Sequence, residues 1–234
     1  MEISSTYEEK RGRIEEYFDR TAADQWAKLT SDAPVSGIRQ TVRAGRDRMR
    51  ETLLSWLPED LHGRRVLDAG CGTGALAIEL ARRGAQVVAV DLSPTLVQLA
   101  RGRVPDDLHG GKLEFIAGDM LSDTFGHFDH VVAMDSMIHY EKHDMVGCLA
   151  RLAQRTTHSV LFTFAPSNPI LAAMIRVGRI FPQRDRAPFI EPVSEQALRG
   201  EMSRSDAMGH WAPGRTEKIS NGFYTSQAME LCQS

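Results

Sequence analysis

Three glycines at alternate positions, Gly70, Gly72 and Gly74, form the stretch of this chain with the clearest chemical meaning. They follow an apolar run and precede a helical pattern. Because glycine adopts backbone angles that other residues avoid, such a turn lets a ligand approach the main chain closely. The first N–H groups of the following helix have no partner within that helix, so they suit a carboxylate or a phosphate. The turn is therefore the first candidate for a ligand site.

Two ligands compete for this turn. The spacing satisfies the dinucleotide fingerprint G-x-G-x-x-G/A with Ala75 in the last place, and Asp91 lies about twenty residues further on, as a ribose-binding acid should. However, Asp68 stands two residues before the first glycine. A carboxylate fixed there would repel a pyrophosphate, whereas it would attract a ligand with an ammonium group. The charge at Asp68 therefore argues against a nicotinamide-binding reductase.

The string Asp-Ala-Gly-Cys-Gly-Thr-Gly at positions 68–74 resembles motif I of the class I methyltransferases. The resemblance implies S-adenosylmethionine as co-substrate, a molecule with an ammonium group and no phosphate, and S-adenosylhomocysteine as product. We favour this interpretation over the reductase.

The composition fits one α/β domain with a modest appendage, since the chain has 234 residues of which 42% are hydrophobic. A net charge of −3 does not suggest a nucleic-acid partner. The three cysteines are too few and too scattered for a disulfide framework or a zinc site, and we expect no metal site.

Localisation follows from what the sequence lacks. No apolar run reaches the roughly 18 residues that span a bilayer, and the first ten residues are polar and acidic, unlike a leader. Reduced cysteines fit the cytosol. We expect a cytoplasmic protein that is at most peripheral at a membrane.

Alternating strand and helix patterns begin at residue 63 and position the glycine turn. Strands are predicted at 64–69, 86–91, 112–117, 128–134 and 159–164, and helices at 74–83, 93–103 and 142–156. Strands separated by helices of this length imply a mostly parallel, doubly wound, Rossmann-like sheet. Residues 211–234 should add antiparallel strands at one edge. The fold class expected is the α/β class I methyltransferase fold.

Two helical patterns precede this alternation, one over 7–29 and one from residue 33 to 56. We assign 1–57 to an N-terminal helical lid and 58–234 to the methyltransferase domain, in which 168–192 is a substrate-arm insertion after strand five. The second helical pattern carries five arginines, predicted here to form a solvated face. They are Arg39, Arg43, Arg46, Arg48 and Arg50.

The strand ends supply the expected co-substrate contacts, because ligands of open α/β sheets lie outside the carboxyl ends of the strands. Asp91 should accept from the ribose hydroxyls and Asp119 from the adenine amino group. Asp135 is either a structural residue or a ligand contact. The predicted co-substrate residues are Asp68, Gly70, Gly72, Gly74, Asp91, Leu92, Asp119, Met120 and Met134.

More specific motifs lie outside the glycine turn. They are Glu-Tyr-Phe-Asp-Arg-Thr at 16–21 with Gln-Trp at 25–26, Met-Asp-Ser-Met-Ile-His-Tyr at 134–140, Phe-Thr-Phe-Ala-Pro at 162–166, Gly-Arg-Ile-Phe-Pro at 178–182 and Arg-Thr-Glu-Lys-Ile-Ser-Asn-Gly-Phe-Tyr at 215–224. Together they resemble the magnesium-protoporphyrin IX O-methyltransferases of chlorophyll and bacteriochlorophyll synthesis. The resemblance runs from Tyr17 to Leu231. Ser136 and Glu141 depart from the family pattern but flank the His-Tyr pair.

The resemblance implies methyl transfer from S-adenosylmethionine to the ring-C propionate of magnesium protoporphyrin IX, giving a monomethyl ester. It also implies Tyr17 and His139 as catalytic residues, matched to the family's lid tyrosine and to its histidine after strand four. Such a carboxylate is ionised at neutral pH, so both should orient rather than deprotonate it. His139 has a second possible role, contact with the substrate's magnesium. Tyr140 is expected to contact the substrate.

The propionate that is not methylated needs a separate anchor, for which a guanidinium is suited. Arg179 is the favoured residue, with Arg176, Arg184 and Arg186 beside it in the insertion and the lid residues Arg39 and Arg43 as the next candidates.

Several alternatives stay open at this point. One is an O-methyltransferase of another hydrophobic acid or of a quinol, another is a porphyrin carrier without activity, and the third is the reductase. Magnesium protoporphyrin IX is the expected partner, with the large subunit of magnesium chelatase as a candidate substrate donor. The photosynthetic membrane is the membrane at which peripheral association would occur.

Overall fold

The computed structural model of the chain describes residues 5–17, 19, 37–167 and 190–233. The strands are β1 (Arg65–Ala69), β2 (Gln86–Asp91), β3 (Lys112–Ala117), β4 (Phe128–Ala133), β5 (Thr156–Phe164), β6 (Trp211–Asn221) and β7 (Tyr224–Gln233). The helices of the described chain are α1 (Ser5–Tyr17), α2 (Gly37–Ser55), α3 (Ala75–Arg82), α4 (Pro94–Arg101), α5 (Lys142–Ala153) and α6 (Glu195–Arg204).

All seven strands form one sheet in the order β3-β2-β1-β4-β5-β7-β6. The first five in that order are parallel, while β7 runs antiparallel to β5 and β6 antiparallel to β7. The chain moves outward in one direction from β1 to β3 and in the other direction from β4, so the strand order switches between β1 and β4. Such a switch point opens a crevice at the carboxyl ends of the strands. The expected fold class is confirmed.

The central strands are apolar on both sides because helices cover both faces of the sheet. On one face, Leu67 and Val131 pack with α1, α5 and α6. On the other face, Val66 and Val132 pack with α2, α3 and α4. The two N-terminal helices therefore lie on opposite faces of the sheet and approach its ligand edge from two sides.

Helix α2 is fixed closely to the β6–β7 hairpin. Met49 and Leu53 on its inner side are fully buried in the core. A Cβ atom on Gly45 would lie 2.5 Å from Tyr224 Cδ1, so only glycine lets the helix approach this tyrosine. The predicted boundary at residue 57 stays a prediction, but α2 is a part of the core in this structure.

Some boundaries differ from the sequence prediction. Helix α5 ends at Ala153 rather than at residue 156, and β5 begins at Thr156 rather than at 159, because the backbone N–H of Phe128 in β4 donates to the Arg155 carbonyl and so extends the pairing. Helix α6 was not predicted at all. Its start is capped by Ser194, whose side chain accepts from Ala197 N.

Parts of two predictions lie outside the described residues. These are the segment that joins α1 to α2, apart from Asp19, and most of the insertion, 168–189. Within the described chain, no helix combines the length and the apolar character needed to cross a membrane.

Candidate functional site

A cavity of about 300 Å³ lies at the carboxyl ends of β1 to β4, where the strand order switches. Most of the site residues predicted from the sequence line it. They are Asp68, Gly70, Gly72, Asp91, Leu92, Asp119, Met120, Met134, His139 and Tyr140. The structure therefore brings together, at one edge of the sheet, the residues that were predicted from successive strand ends.

The glycine turn uses the backbone freedom that its sequence suggested. Gly70, Gly72 and Gly74 have φ angles of +87°, +53° and +83°. A Cβ on Gly70 would lie 2.3 Å from Ser136 Cβ, so glycine allows the turn to contact the segment after β4. A Cβ on Gly74 would lie 2.6 Å from Phe115 Cζ. Gly74 has a packing role in this structure and is not among the described residues that line the cavity, so its ligand contact stays a prediction.

Asp68 is a buried carboxylate with an unused oxygen at the cavity wall. The residue is 1% exposed, and its Oδ2 atom has no hydrogen-bond partner among the residues that the structure describes. Burial, together with the neighbouring charge of Asp91, raises the pKa of Asp68 from 3.8 to about 7, against the backbone N–H of Ala77, which lowers it. A buried carboxylate oxygen without a donor is costly, and a ligand ammonium group would relieve that cost.

Asp91 is held by the turn that it faces. Its Oδ2 accepts from Gly72 N at 2.8 Å and its Oδ1 accepts from Ser93 N at 3.0 Å. Burial raises the pKa of Asp91, and these two N–H groups oppose the rise. Each oxygen keeps a further lone pair, so the carboxylate is oriented and still able to accept from a diol.

Asp119 contacts the N-terminal helix. Its Oδ1 accepts from the Tyr7 hydroxyl at 2.9 Å and from Leu121 N at 2.8 Å, while Arg11 Nη1 lies 2.8 Å from Oδ2. The Tyr7 ring stacks on Tyr140 with 5.0 Å between centroids. Burial raises the pKa of the Tyr7 phenol, which therefore stays protonated as a donor.

Tyr7 and Arg11 were not predicted from the sequence. They share a helix face with Ile14, at spacings of four and three, and Tyr7 and Ile14 both line the cavity. This spacing is the signal that could have identified them. The predicted Tyr17 ends α1 half-buried and is not among the lining residues of the described chain, so its catalytic role stays a prediction.

Asp135 lies at the centre of a polar network on the cavity wall. It has φ +54°, and its carboxylate accepts from Arg46 Nη1 at 2.7 Å and from the Tyr224 hydroxyl at 3.1 Å. Its backbone N–H donates to Thr163 Oγ1 at 2.7 Å. These partners give Asp135 a structural role, and its place on the cavity wall leaves the ligand contact open.

His139 and Tyr140 follow β4 in a short 3₁₀ turn, Met137–His139, that ends at the cavity. His139 is half-buried and Tyr140 is 2% exposed. The neighbouring Ser136 carries a buried Oγ that has no partner within the described ranges of the chain, and it also lines the cavity. Arg176 and Arg179 lie outside the described residues.

The arginines of α2 correct the prediction of a solvated face. Arg43, Arg46 and Arg50 line the cavity, whereas Arg39 and Arg48 are exposed. The sequence pattern could not distinguish these two groups, because charged residues surround the apolar stripe of α2.

The wall of the cavity fits S-adenosylmethionine. Of the three buried side-chain polar atoms without a partner in the described chain, Asp68 Oδ2 and Ser136 Oγ lie in residues that line this cavity. The turn at Gly70 has no room for a Cβ, so its backbone lies close to Ser136 at the cavity wall. In the part of the chain that the structure describes, no cluster of three or more histidine, cysteine or acidic side chains could hold a metal ion.

Two family models match the chain. One, described as "Magnesium-protoporphyrin IX methyltransferase C-terminus", matches residues 133–233. The other, described as "Methyltransferase domain", matches residues 66–158. Together they span the described cavity residues from β1 onward.

Relatives match over nearly the whole length. The magnesium-protoporphyrin O-methyltransferase of Rhodobacter capsulatus is 46% identical over 229 residues, which cover 97% of this chain and 99% of that protein. The chloroplastic magnesium protoporphyrin IX methyltransferase of Arabidopsis thaliana is 31% identical over 93% of this chain and 69% of its own. A crystal structure of magnesium protoporphyrin IX methyltransferase from Synechocystis PCC 6803 with bound SAH superposes with a TM-score of 0.80, at 27% identity over 96% of this chain and 100% of that one.

Proposed function

This chain belongs to the family of magnesium-protoporphyrin O-methyltransferases, and from that premise we propose that it methylates magnesium protoporphyrin IX in chlorophyll or bacteriochlorophyll synthesis. The methyl group comes from S-adenosylmethionine, and the acceptor is the ring-C propionate, which becomes a monomethyl ester. The observation that carries the substrate assignment is the 46% identity to the Rhodobacter capsulatus enzyme along nearly the full length of both chains. The cavity at the switch point supports the co-substrate assignment.

The co-substrate supplies a methyl group activated by its bond to a sulfonium. Asp68 would pair with the ammonium group through the oxygen that has no partner in the described part of the protein. Asp91 would accept from the ribose hydroxyls, and Asp119, next to the buried Met120, would accept from the adenine amino group. Met134 lies on the same wall and would contact the methionine part.

The protein needs to orient the propionate and to exclude water from it. A propionate of pKa near 4.5 is already ionised at neutral pH, so no strong base is required. The cavity residues His139 and Tyr140 would align the carboxylate, and Tyr17 would act from the end of α1. Water excluded from the carboxylate makes it a better nucleophile, since its hydration shell need not be removed in the transition state.

A quinol or another hydrophobic acid is the alternative acceptor. A quinol hydroxyl has a pKa near 10, like tyrosine, so its methylation requires a base beside the hydroxyl group. A carboxylate acceptor makes no such demand. The match of residues 133–233 to the magnesium-protoporphyrin family favours the carboxylate.

The test is a direct incubation of the purified protein with magnesium protoporphyrin IX and S-adenosylmethionine, with mass detection of the porphyrin. We expect one added methyl group per porphyrin and an equal amount of S-adenosylhomocysteine. The dimethyl ester of the same porphyrin is the matched control, since it has no free carboxylate. Porphyrin binding without consumption of S-adenosylmethionine would indicate a carrier, and methylation of a quinol alone would indicate the alternative enzyme.

The finer partners are also proposals. We infer a cytoplasmic enzyme that receives its hydrophobic substrate from the large subunit of magnesium chelatase and that associates peripherally with the photosynthetic membrane. Two large apolar side chains are exposed: Ile38 near the start of α2, at 56%, and Phe223 in the turn between β6 and β7, at 75%. Exposed apolar side chains support a contact with a membrane or with the chelatase subunit. Co-sedimentation with the purified chelatase subunit and with lipid vesicles tests the two parts separately.

A further inference from the structure

Three arginines form a row along one side of the cavity. Arg43, Arg46 and Arg50 follow one another at spacings of three and four residues on α2, and all three line the cavity. Residues at these spacings lie on one helix face, and the row spans about 10 Å along the helix axis. We call these three residues the arginine row.

The row is held in place by the fold. A Cβ on Gly222 would lie 2.6 Å from Thr41 Oγ1, and a Cβ on Gly45 would lie 2.5 Å from Tyr224, so the β6–β7 hairpin fits against α2 without space between them. At the other end of the helix, Arg83 Nη1 donates to the Leu54 carbonyl at 2.6 Å. These contacts hold the backbone of α2 beside the cavity.

Acidic neighbours orient the guanidinium groups of Arg46 and Arg50. Arg46 Nη1 lies 2.7 Å from Asp135 Oδ2, and Arg50 Nη2 lies 2.9 Å from Asp47 Oδ1. A guanidinium has five N–H donors in a fixed fork, so an ion pair through one nitrogen leaves others for a ligand. The pair with Asp47 therefore directs Arg50 and does not use all of its donors.

The cavity is lined by both acidic and basic side chains, which come from different elements. The strand ends provide Asp68, Asp91 and Asp119, which suit the ammonium, ribose and adenine groups of the co-substrate. Helix α2 provides the arginine row, which suits carboxylates. The acceptor in the proposed function has two carboxylates, and only one of them reacts.

We propose that the arginine row binds the propionate of magnesium protoporphyrin that is not methylated, an inference that rests on the proposed function. Arg43 and Arg50 are the main contacts, and Arg46 supports them from its pair with Asp135. In this arrangement the first methylation limits itself. The monoester has one free carboxylate left. When that carboxylate lies at the methyl group, the porphyrin has no second carboxylate for the arginine row to bind. The monoester is therefore a poor substrate.

Binding measurements with matched ligands test the assignment. The variants are Arg43→Gln and Arg50→Gln, and the control is Arg48→Gln, which lies on the same helix and is exposed. The ligands are zinc protoporphyrin IX, its dimethyl ester and S-adenosylhomocysteine. We expect the diacid to bind each variant about ten- to a hundredfold more weakly, because a charge-assisted hydrogen bond is lost. The dimethyl ester and S-adenosylhomocysteine should bind all proteins equally, which also shows that the variants are folded.

Turnover measurements test the self-limiting step. The variants should lose part of the preference for the diacid over the monoester in kcat/KM, whereas the control should keep it. Arg43→Lys should recover diacid binding only in part, since lysine has the charge without the fork.

The other carboxylate that the arginine row could bind is the methionine carboxylate of the co-substrate. If the variants lose S-adenosylhomocysteine affinity and keep diacid affinity, the row serves the co-substrate and the proposal is wrong. Equal binding of the diacid to the variants and to the control would also overturn it. A wild-type protein that does not methylate magnesium protoporphyrin at all would instead contradict the proposed function.

Discussion

The Tyr7 hydroxyl donates to Asp119 Oδ1 across 2.9 Å, although 112 positions separate the two residues in the chain. Arg11, one turn further along α1, pairs with the other oxygen of the same carboxylate at 2.8 Å. The carboxylate that we assign to the adenine amino group is thus also one of the groups that hold the N-terminal helix. Ligand binding at Asp119 and the position of α1 are therefore coupled.

Replacement of Tyr7 by phenylalanine should weaken this coupling. Tyr7→Phe keeps the ring that stacks on Tyr140 and loses the hydrogen bond to a charged acceptor, a change of about 1.5–3 kcal/mol. We expect S-adenosylhomocysteine to dissociate about tenfold faster, as measured by stopped-flow fluorescence. Amide exchange in 5–17 should slow when ligand binds the wild type, and less so in the variant.

The matched control for this prediction is Arg13→Gln. Arg13 lies on the same helix with a side chain that is 74% exposed. Its ion pair is with Glu9, one turn earlier on α1. If S-adenosylhomocysteine dissociates at the same rate from Tyr7→Phe and from this control, the position of α1 is not coupled to ligand binding.

Asp68→Asn should weaken co-substrate binding and remove its pH dependence. The pKa of Asp68 is raised from 3.8 to about 7 by burial and by Asp91, so a large part of this carboxyl group is protonated at pH 6. An ammonium group pairs with the ionised form, and affinity for S-adenosylmethionine should rise as the pH increases through 7. Calorimetry at several pH values should find this rise in the wild type and none in the asparagine variant.

The stability of the ligand-free protein should decrease with rising pH, whereas the affinity for the co-substrate increases. Between pH 4 and pH 7 the folded chain retains a proton at Asp68 that the unfolded chain has lost. The free energy of unfolding therefore decreases as pH rises through this window, and above it the loss is complete and no longer changes with pH. Urea titrations of wild type and Asp68→Asn should converge at pH 4. Parallel stability curves at all pH values would contradict the assignment.

Two glycines allow the packing role of the turn to be separated from its backbone strain. Gly74 and Gly63 have φ angles of +83° and +75°, but a Cβ on Gly74 would meet Phe115 at 2.6 Å and one on Gly63 would meet nothing within 4 Å. We expect Gly63→Ala to cost about 1 kcal/mol for the left-handed backbone alone. Gly74→Ala should cost more by 1–3 kcal/mol, roughly the range for overpacking. Urea denaturation measures both, and equal losses would exclude the packing role.

Substitution of His139 tests whether it orients the acceptor. His139→Asn should lower kcat for magnesium protoporphyrin by roughly ten- to a hundredfold, because a misaligned carboxylate reacts slowly. Affinity for S-adenosylhomocysteine should be unchanged. The control is His143→Asn, since the His143 side chain is 82% exposed on α5. Full activity of the His139 variant would assign the alignment to other residues.

Much of the fold was predictable because its signals are local. The apolar runs at 86–91 and 128–134 and the capping pair Ser93-Pro94 each determine one element, and Ser93 does accept from Leu96 N at 3.2 Å. Parallel strands then bring their carboxyl ends together, so Asp68, Asp91 and Asp119 could be placed near one another from the sequence alone.

The contacts that depend on tertiary packing could not be predicted in this way. Tyr7 approaches Asp119 only because α1 crosses the ligand edge, a position that no local pattern records. The same is true of Arg43 and Arg50, whose direction depends on how Gly45 fits against Tyr224. Helix α6 has a weak apolar face, since only Leu198 and Met202 are buried in it.

The partners assigned to Asp68, Asp91 and Asp119 are the ammonium, ribose and adenine groups, and methyl transfer changes none of them. These three carboxylates therefore cannot tell the spent co-substrate from the fresh one. We expect strong product inhibition, with S-adenosylhomocysteine competing against S-adenosylmethionine at comparable concentrations, as steady-state kinetics with added product would show. An inhibition constant far above the KM for S-adenosylmethionine would mean that the sulfonium itself is recognised. Under strong product inhibition, flux through the enzyme follows the ratio of S-adenosylmethionine to S-adenosylhomocysteine in the cell, so that porphyrin esterification slows whenever S-adenosylhomocysteine is not removed.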